Sequence, residues 1–290
     1  MDFIELLKVI IIGIVEGITE WLPISSTGHM ILVDEFLVLK MSDEFKEMFL
    51  VVIQLGAIMA VVLLFWSKIM PFSIATKEAG KNNSAFLNRI VIKKDIFIMW
   101  FKIVVACIPA AIVGIMWDDE LNALFYNYIT VSITLVVFGI LFIVVENYNK
   151  GKHPRIKVIS DITYQTALLI GIFQLIAAIF PGTSRSGATI VGALLLGLSR
   201  KVAAEFTFFL AIPTMLGASV LKLIKFGTDY TSEEIILLIV GMAVAFIVSL
   251  FAIKFLMGYI KKNDFKLFGW YRIVLGGAVL GVFLLMNVLG

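Results

Sequence analysis

The sequence has few charged residues for its length. Only 16% of its 290 residues are Asp, Glu, Lys or Arg, whereas 61% are hydrophobic and the mean hydropathy is +1.04. Soluble globular domains contain about 25% charged and about 45–50% apolar residues, so this composition excludes a soluble protein. The sequence therefore predicts a polytopic, all-α membrane protein.

Cysteine and histidine are also scarce. The single cysteine, Cys107, lies in an apolar run and excludes both an internal disulfide and a cysteine-based metal site. Of the two histidines, His153 lies in the basic segment 150–155, where we expect it to be solvated, and only His29 lies among other polar residues. The net charge of +3 is modest, and no nucleic-acid partner is expected.

Six apolar stretches are long enough to cross a bilayer as helices, which takes about 17–25 residues. They lie at about residues 49–66, 96–117, 129–145, 203–224, 235–257 and 270–289. Two further apolar regions, 1–33 and 162–198, are interrupted by proline, glycine and polar residues. Because irregular backbone survives at membrane depth only where protein or a wet cavity covers it, each is predicted to form a re-entrant helix-loop-helix hairpin.

An interrupted region followed by three spans occurs twice, and the sequence itself repeats. Gly13-Ile-Val-Glu16 aligns with Gly171-Ile-Phe-Gln174, and Ser25-Ser26 aligns with Thr183-Ser184. Three crossings per copy is an odd number, so the second copy is predicted to be inverted relative to the first. The expected organisation is one membrane domain, 1–290, with one repeat at about 1–150 and the other at about 160–290.

Loop charges predict the orientation. Residues 34–48 and 118–128 are rich in acids, whereas residues 67–95 and 146–161 are rich in bases. The bases of the longest loop are Lys68, Lys77, Lys81, Arg89, Lys93 and Lys94. Because basic loops stay in the cytoplasm, the first hairpin is expected to enter from outside and the second from the cytoplasm, so that the two can meet.

The first interrupted region contains two carboxylates. Glu16 and Glu20 are four residues apart, which places both on one face of a helix about 5–6 Å apart. Such a pair repels unless a cation lies between them, and Mg²⁺ and Ca²⁺ prefer oxygen ligands. The alternative is a capping or interhelix hydrogen-bond role, or one protonated carboxyl group.

Hydroxyl groups and a histidine follow these carboxylates. Ser25, Ser26 and Thr27 come just after Pro23, where hydroxyl and backbone N–H groups at a helix N-terminus can attract phosphate or simply cap the helix. His29 is close enough in sequence to act as a general acid or base. We expect one hydroxyl to react with or touch the substrate while the others cap.

The second interrupted region contains an arginine at membrane depth. Arg185 presents a planar fork of donors that suits phosphate oxygens. The flanking hydroxyl residues are candidate substrate ligands: Thr183, Ser184, Ser186 and Thr189. The alternative is an ion pair of Arg185 with Glu16 or Glu20 that only holds the two repeats together.

The segments EGITEWLPISSTGHMIL and PGTSRSGATI closely resemble the two signature motifs of the undecaprenyl-diphosphate phosphatase family, also called the bacitracin-resistance protein. The resemblance extends to Gln54-Leu-Gly-Ala57 and covers essentially the whole chain. It implies an integral enzyme of the bacterial inner membrane that removes one phosphate from a C55 isoprenyl diphosphate and thereby recycles a lipid carrier for cell-wall synthesis. The active site would open to the outer face, and a divalent cation would be needed.

Transferred to this chain, the resemblance implies a site formed by Glu16, Glu20, Ser26, His29, Ser184, Arg185 and Thr189. Our hypothesis is that Ser26 attacks the terminal phosphorus and His29 carries the proton. Glu16 and Glu20 would hold Mg²⁺ or Ca²⁺, and Arg185 would stabilise the transferring phosphoryl group. Attack by water or by His29 stays open as an alternative.

A lipid flippase or secondary transporter for a phosphorylated polyprenyl substrate is the main rival function, because inverted repeats are frequent in transporters. A transporter needs binding groups but no nucleophile. The acid-phosphatase class with a Ser-Gly-His motif needs two active-site histidines and does not fit. Small residues such as Gly276-Gly-Ala278 could pack helices within one chain or between the two copies of a homodimer.

Overall fold

The computed structural model describes residues 2–75 and 89–289, which are mostly helical. The first half of the chain contains α1 (Phe3–Thr19), α2 (Ser26–Phe36), α3 (Asp43–Val52), α4 (Gln54–Leu64), α5 (Trp66–Ile69), α6 (Lys94–Phe125) and α7 (Tyr128–Asn149). The second half contains a 3-10 turn (Ile159–Asp161), α8 (Tyr164–Ile179), α9 (Arg185–Leu195), α10 (Arg200–Phe226), α11 (Ser232–Tyr259) and α12 (Lys266–Leu289). Strands β1 (Phe72–Ala75) and β2 (Arg89–Ile92) form an antiparallel pair within the basic loop. Lys77 and Lys81, predicted to be cytoplasmic, lie outside the described residues.

The prediction of six helices able to cross a membrane is confirmed. They are Asp43–Leu64 (α3 with α4), Lys94–Phe125, Tyr128–Asn149, Arg200–Phe226, Ser232–Tyr259 and Lys266–Met286. These helices begin before the predicted apolar windows, and polar residues cap the N-termini of several of them. Ser42 caps α3, Ser199 caps α10, and Thr231 forms a capping box with Glu234 at the start of α11.

One predicted loop is largely helical instead. The acidic residues Asp118 and Asp119 lie in α6, just after a break in its helical geometry at Trp117. Lys222 and Lys225 of α10 pair with these two carboxylates at 3.3 and 2.8 Å. The sequence window ended at Trp117 because these residues are charged, and the partners on α10 could not be inferred from local sequence.

Each of the two interrupted regions folds as two helices joined by a turn. In the first, α1 ends at Thr19 and α2 begins at Ser26; in the second, α8 ends at Ile179 and α9 begins at Arg185. The residue before each second helix is a serine with positive φ, 75° at Ser25 and 67° at Ser184. Ser184 therefore has the backbone conformation and capping role of Ser25, one residue later than the Thr183 with which the sequence alignment matched Ser25.

Helix packing follows a reciprocal pattern. Helix α1 packs on α11, and α8 packs on α6; α4 packs on α11, and α10 packs on α6. Helices α7 and α12 pack on each other, as do α4 and α10. The main hydrophobic core includes residues of the first turn, and Trp21 is wholly buried there in a T-shaped ring contact with Phe208. This packing fixes the position of the turn that carries the candidate site.

Candidate active site

Two buried carboxylates lie at the C-terminal end of α1, where it leads into the first turn. Glu16 is 1% exposed and Glu20 is 8% exposed, and both project from the C-terminal end of α1. The Glu20 N–H donates to the Glu16 carbonyl oxygen at 3.0 Å, so the helical spacing persists as far as Glu20. The two acidic side chains therefore lie one helical turn apart, as the sequence predicted.

The Glu20 carboxylate joins the two motifs. Its Oε1 accepts a hydrogen bond from Arg185 Nη2 at 2.9 Å, and its Oε2 accepts one from the Ser26 hydroxyl at 3.0 Å. The ion pair that the sequence analysis named as the alternative role of Arg185 is thus present, with Glu20 as the partner, although the two residues are 165 apart in sequence. A carboxylate, a hydroxyl group and a guanidinium consequently meet at one point.

Arg185 is the first residue of α9, and its side chain is held by α10 and by the C-terminal end of α1. Nη1 donates to the Thr207 carbonyl oxygen of α10 at 3.1 Å, while Nη2 reaches Glu20. The neighbouring Ser186 hydroxyl donates to the Glu20 carbonyl oxygen at 3.1 Å. The buried Arg185 Nε has no hydrogen-bond partner within residues 2–75 and 89–289, so this donor is available to a ligand.

His29 forms hydrogen bonds with residues other than Ser26. Its Nδ1 lies 2.7 Å from the Ser25 carbonyl oxygen, and its Nε2 lies 2.7 Å from the Tyr271 hydroxyl. A carbonyl oxygen can only accept, so Nδ1 carries the proton and Nε2 of the neutral ring accepts from Tyr271. The side chain that accepts from the Ser26 hydroxyl is Glu20, not His29.

Most of the other candidate hydroxyl groups already form hydrogen bonds that stabilise the helices. Ser25 and Ser184 cap α2 and α9, each accepting from a backbone N–H three residues later at 3.2 Å. Thr189 donates to the Arg185 carbonyl oxygen and also bonds the Thr207 hydroxyl, so it supports the helix. Thr27 is half-buried near the site.

Thr183 is different, because it is wholly buried and its hydroxyl has no partner in the described part of the chain. A buried polar group without a partner is costly, and such groups in native structures usually have a specific reason. Thr183 therefore keeps its place as a candidate ligand residue.

Arg272 of α12 was missed by the sequence analysis. It is wholly buried and donates to the carbonyl oxygens of Pro23 at 3.4 Å, Gly182 at 2.9 Å and Thr183 at 2.6 Å. It thus connects the two turns through their backbones. The absence of a side chain at Gly187 makes room, since a Cβ atom there would lie 2.6 Å from Arg272 Nη1. The available signal was an arginine inside a predicted span, which is functional by default.

The carboxylates fit a cation only in part. Glu16 Oε1 is buried and has no hydrogen-bond partner among the described residues, whereas both Glu20 oxygens already accept hydrogen bonds. No group of three or more His, Cys, Asp or Glu side chains able to hold a metal occurs in the described ranges. Because Mg²⁺ typically takes one or two carboxylates together with substrate phosphates, this donor set suits an ion that arrives with a phosphate-bearing substrate.

Fold and site together define a multi-pass helical membrane protein that buries an acidic, hydroxyl-bearing and guanidinium-bearing centre where two turns meet. The family described as Bacitracin resistance protein BacA matches residues 9–278. The chain belongs to this family, as its two motifs suggested.

Its relatives are similar over nearly their entire length. An undecaprenyl-diphosphatase from Desulfitobacterium hafniense is 65% identical over 100% of both chains. Undecaprenyl-diphosphatase 1 from Clostridium acetobutylicum is 67% identical over 99% of this chain and 100% of its own. An undecaprenyl-diphosphatase from Enterococcus faecalis is 62% identical over 97% of this chain and 98% of its own.

Proposed function

We propose that this chain is a membrane phosphatase that hydrolyses undecaprenyl diphosphate to undecaprenyl monophosphate and inorganic phosphate, which recycles a lipid carrier for cell-wall synthesis. The observation that carries the proposal is the Glu20 carboxylate bonded at once to the Ser26 hydroxyl and the Arg185 guanidinium. A nucleophile, a base and a phosphate-binding fork are the parts that phosphoryl transfer requires. The high identity to relatives with that name supports the same activity.

In the first step, the Ser26 hydroxyl oxygen attacks the terminal phosphorus. The bond between this phosphorus and the bridging oxygen breaks, and undecaprenyl monophosphate leaves. The Ser26 proton passes to Glu20 Oε2, which already accepts it as a hydrogen bond at 3.0 Å. Arg185 binds the equatorial phosphoryl oxygens, where charge develops, and offers its unpartnered Nε as a further donor.

In the second step, water attacks the phosphoseryl group. The bond between phosphorus and Ser26 Oγ breaks, and Glu20 returns its proton to this oxygen. The proton of the attacking water passes to His29 and then to solvent, so that the net products are phosphate, the lipid monophosphate and one proton. His29 is assigned to the water in this scheme because Glu20, not His29, accepts from the Ser26 hydroxyl. To take the proton, His29 Nε2 must exchange its hydrogen bond with Tyr271 for one with the water. Direct attack by water or by His29 on the diphosphate is the alternative.

Glu16, with Glu20 beside it, would hold Mg²⁺ or Ca²⁺. A divalent cation bound there supplies neutralisation of phosphate charge. The unpartnered Glu16 Oε1 supports this assignment. Thr183, Ser186 and Thr27 would add or orient hydroxyl donors toward the substrate, while Ser25, Ser184 and Thr189 hold the two second helices in position.

The membrane arrangement is also part of the proposal. We infer that α1–α2 and α8–α9 are re-entrant hairpins and that residues of about 1–150 and about 160–290 form inverted repeats of one integral membrane domain. The reciprocal packing of α1 on α11 and α8 on α6 supports a two-fold relation, as do the matched serines Ser25 and Ser184. The basic loops would face the cytoplasm, and the active site would open to the outer face of the inner membrane. We also propose that two copies of the chain form a homodimer, which cross-linking in membranes would test.

The direct test is phosphate release from a polyprenyl diphosphate by the purified full-length chain. We expect release that stops on chelation of divalent cations and in Arg185→Ala. Quenching with substrate labelled in the terminal phosphate should trap label on Ser26, whereas full turnover by Ser26→Ala would exclude the serine route. Ser67→Ala, on an exposed serine outside the site, is the matched control. Lipid movement in vesicles without phosphate release would favour transport instead.

A further inference from the structure

A cavity lies apart from the active site. It has a volume of about 390 Å³. It lies between the N-terminal ends of helices α6 and α10 and the segment 157–160. Four lysines line it: Lys68, Lys102, Lys157 and Lys201. Apolar residues including Met99, Val202 and Phe209 form its inner wall. The cavity therefore combines a basic mouth with a hydrophobic interior.

Its positive charge is only partly neutralised. Asp95 and Glu205 are the acidic residues in the lining, and Glu205 pairs with Lys68 at 2.8 Å. Lys102 is 8% exposed and donates to the Ser160 carbonyl oxygen at 3.0 Å. Lys157 and Lys201 are exposed and have no ion-pair or hydrogen-bond partner within the described ranges. Two ammonium groups are thus available to an anion at the cavity mouth.

The cavity lies at one end of the apolar helices. It is formed at the starts of two membrane-spanning helices, Lys94–Phe125 and Arg200–Phe226, so it opens at one edge of the apolar region. Ile98, also in the lining, is an apolar side chain that is 43% exposed. Basic pockets between transmembrane helices on the cytoplasmic side bind phosphate-bearing lipid head groups.

The cavity is separate from the active site, although α10 serves both. Glu205 and Phe209 are four residues apart and line the cavity, whereas the carbonyl oxygen of Thr207 accepts from Arg185. At about 100° per residue, Thr207 lies on the side of α10 roughly opposite Glu205. A ligand in the cavity would consequently not touch Glu20, Ser26 or Arg185.

We propose that this cavity binds the phosphate group of an anionic membrane lipid, with Lys157 and Lys201 as the contacts at its mouth and the apolar wall receiving the start of the lipid chain. Lys102 forms the inner end of the charged lining. Free inorganic phosphate could bind to the same lysines. A lipid would bind more tightly than free phosphate, because only the lipid has a chain that contacts the apolar wall.

The test uses delipidated full-length protein in detergent and measures the unfolding temperature against added phosphatidylglycerol, phosphatidylcholine or inorganic phosphate. We expect phosphatidylglycerol to stabilise the protein and phosphatidylcholine not to do so. In the double variant Lys157→Gln with Lys201→Gln, half-maximal stabilisation should need at least about tenfold more phosphatidylglycerol, or about 1.4 kcal/mol of binding free energy. Inorganic phosphate at the same phosphate concentration should protect much less.

The matched control is Lys261→Gln with Lys262→Gln, which removes the same charge from exposed lysines of the loop between α11 and α12. This control should keep the full lipid response, and both double variants should keep phosphate release, which shows that they fold. Equal loss of the lipid response in both double variants would overturn the proposal, because general attraction between basic loops and anionic lipid would then suffice. An equal response to inorganic phosphate would identify free phosphate as the ligand and overturn the lipid assignment.

Discussion

The two turns share a backbone design but differ in charge and in burial. Each second helix follows a serine with positive φ that accepts from the N–H three residues later, and each has 11 residues. The first turn, however, presents carboxylates, whereas the second presents a guanidinium. In α2 only Gly28 and Met30 are buried, whereas in α9 every residue from Ser186 to Leu194 is buried. The same local geometry thus serves, in one case, a more accessible helix that carries the proposed nucleophile Ser26 and, in the other, a buried helix that carries Arg185.

The largest expected effect comes from removing the charge of the first turn. Glu20→Gln takes away the base for Ser26 and the anionic partner of Arg185, so we expect turnover to fall about 10³-fold. Phosphate release by purified protein measures this. Glu5→Gln is the matched control, because Glu5 is also buried on α1 but pairs with Lys8 far from the turn. Equal losses in both variants would indicate a general defect of α1 rather than a catalytic role.

Replacing the guanidinium of Arg185 should have the next largest effect. Arg185→Lys keeps the charge but loses the planar set of donors, so we expect kcat/KM to fall about 10²-fold. Arg200→Lys is the control, since Arg200 also binds a carboxylate, Glu146, at 2.5 Å but lies outside the site. Unchanged turnover in Arg185→Lys would mean that charge alone is sufficient there.

Cutting the connection between the turns should affect stability as well as activity. Arg272→Met leaves the carbonyl oxygens of Pro23, Gly182 and Thr183 without this donor, which costs about 1–3 kcal/mol for each group left unsatisfied. The thermal unfolding temperature in detergent should therefore fall clearly. If it stays constant while turnover falls, Arg272 acts on the site and contributes little to holding the turns together.

A smaller effect is expected from removing the hydrogen bond between α12 and His29 of α2. Tyr271→Phe removes the hydrogen bond to His29 Nε2 but keeps the parallel ring contact at 5.6 Å. One neutral hydrogen bond is worth about 1 kcal/mol, so we expect turnover to change by about fivefold. The change should appear in the hydrolysis of the labelled phosphoenzyme, because His29 is assigned to the water step. A change confined to phosphoenzyme formation would contradict that assignment.

The smallest effect is expected from the two capping serines. Glycine accepts positive φ without strain and costs a cap only a few tenths of a kcal/mol, so Ser25→Gly and Ser184→Gly should each leave the free energy of unfolding within about 0.5 kcal/mol. Alanine in the same positions keeps the strain and loses the cap, so it should cost more than about 1 kcal/mol. Denaturation of the four variants, compared in pairs, measures both effects.

The sequence was sufficient for the spans and for the two motifs, because an apolar run interrupted by charge has few physical explanations. It also offered the pairing of Arg185 with Glu16 or Glu20 as the alternative to phosphate binding, since a guanidinium at membrane depth needs a partner. It did not show that Glu20, rather than His29, accepts from Ser26, because this depends on side-chain directions at a helix end. It missed Arg272, although an arginine inside a predicted span was a signal. Its partners could not be inferred, because they are backbone carbonyl groups and not side chains.

The position of Arg272 also bears on how the protein is made. Its backbone acceptor Pro23 precedes it by 249 residues, so at about 5–20 residues per second translation of this interval takes roughly 12–50 s. During that time the acidic turn has already left the ribosome, while the helix that ties both turns together has yet to be synthesised. The enzyme should therefore become competent only when its last helix has been inserted, and nascent or prematurely terminated chains should stay inert toward lipid in the membrane.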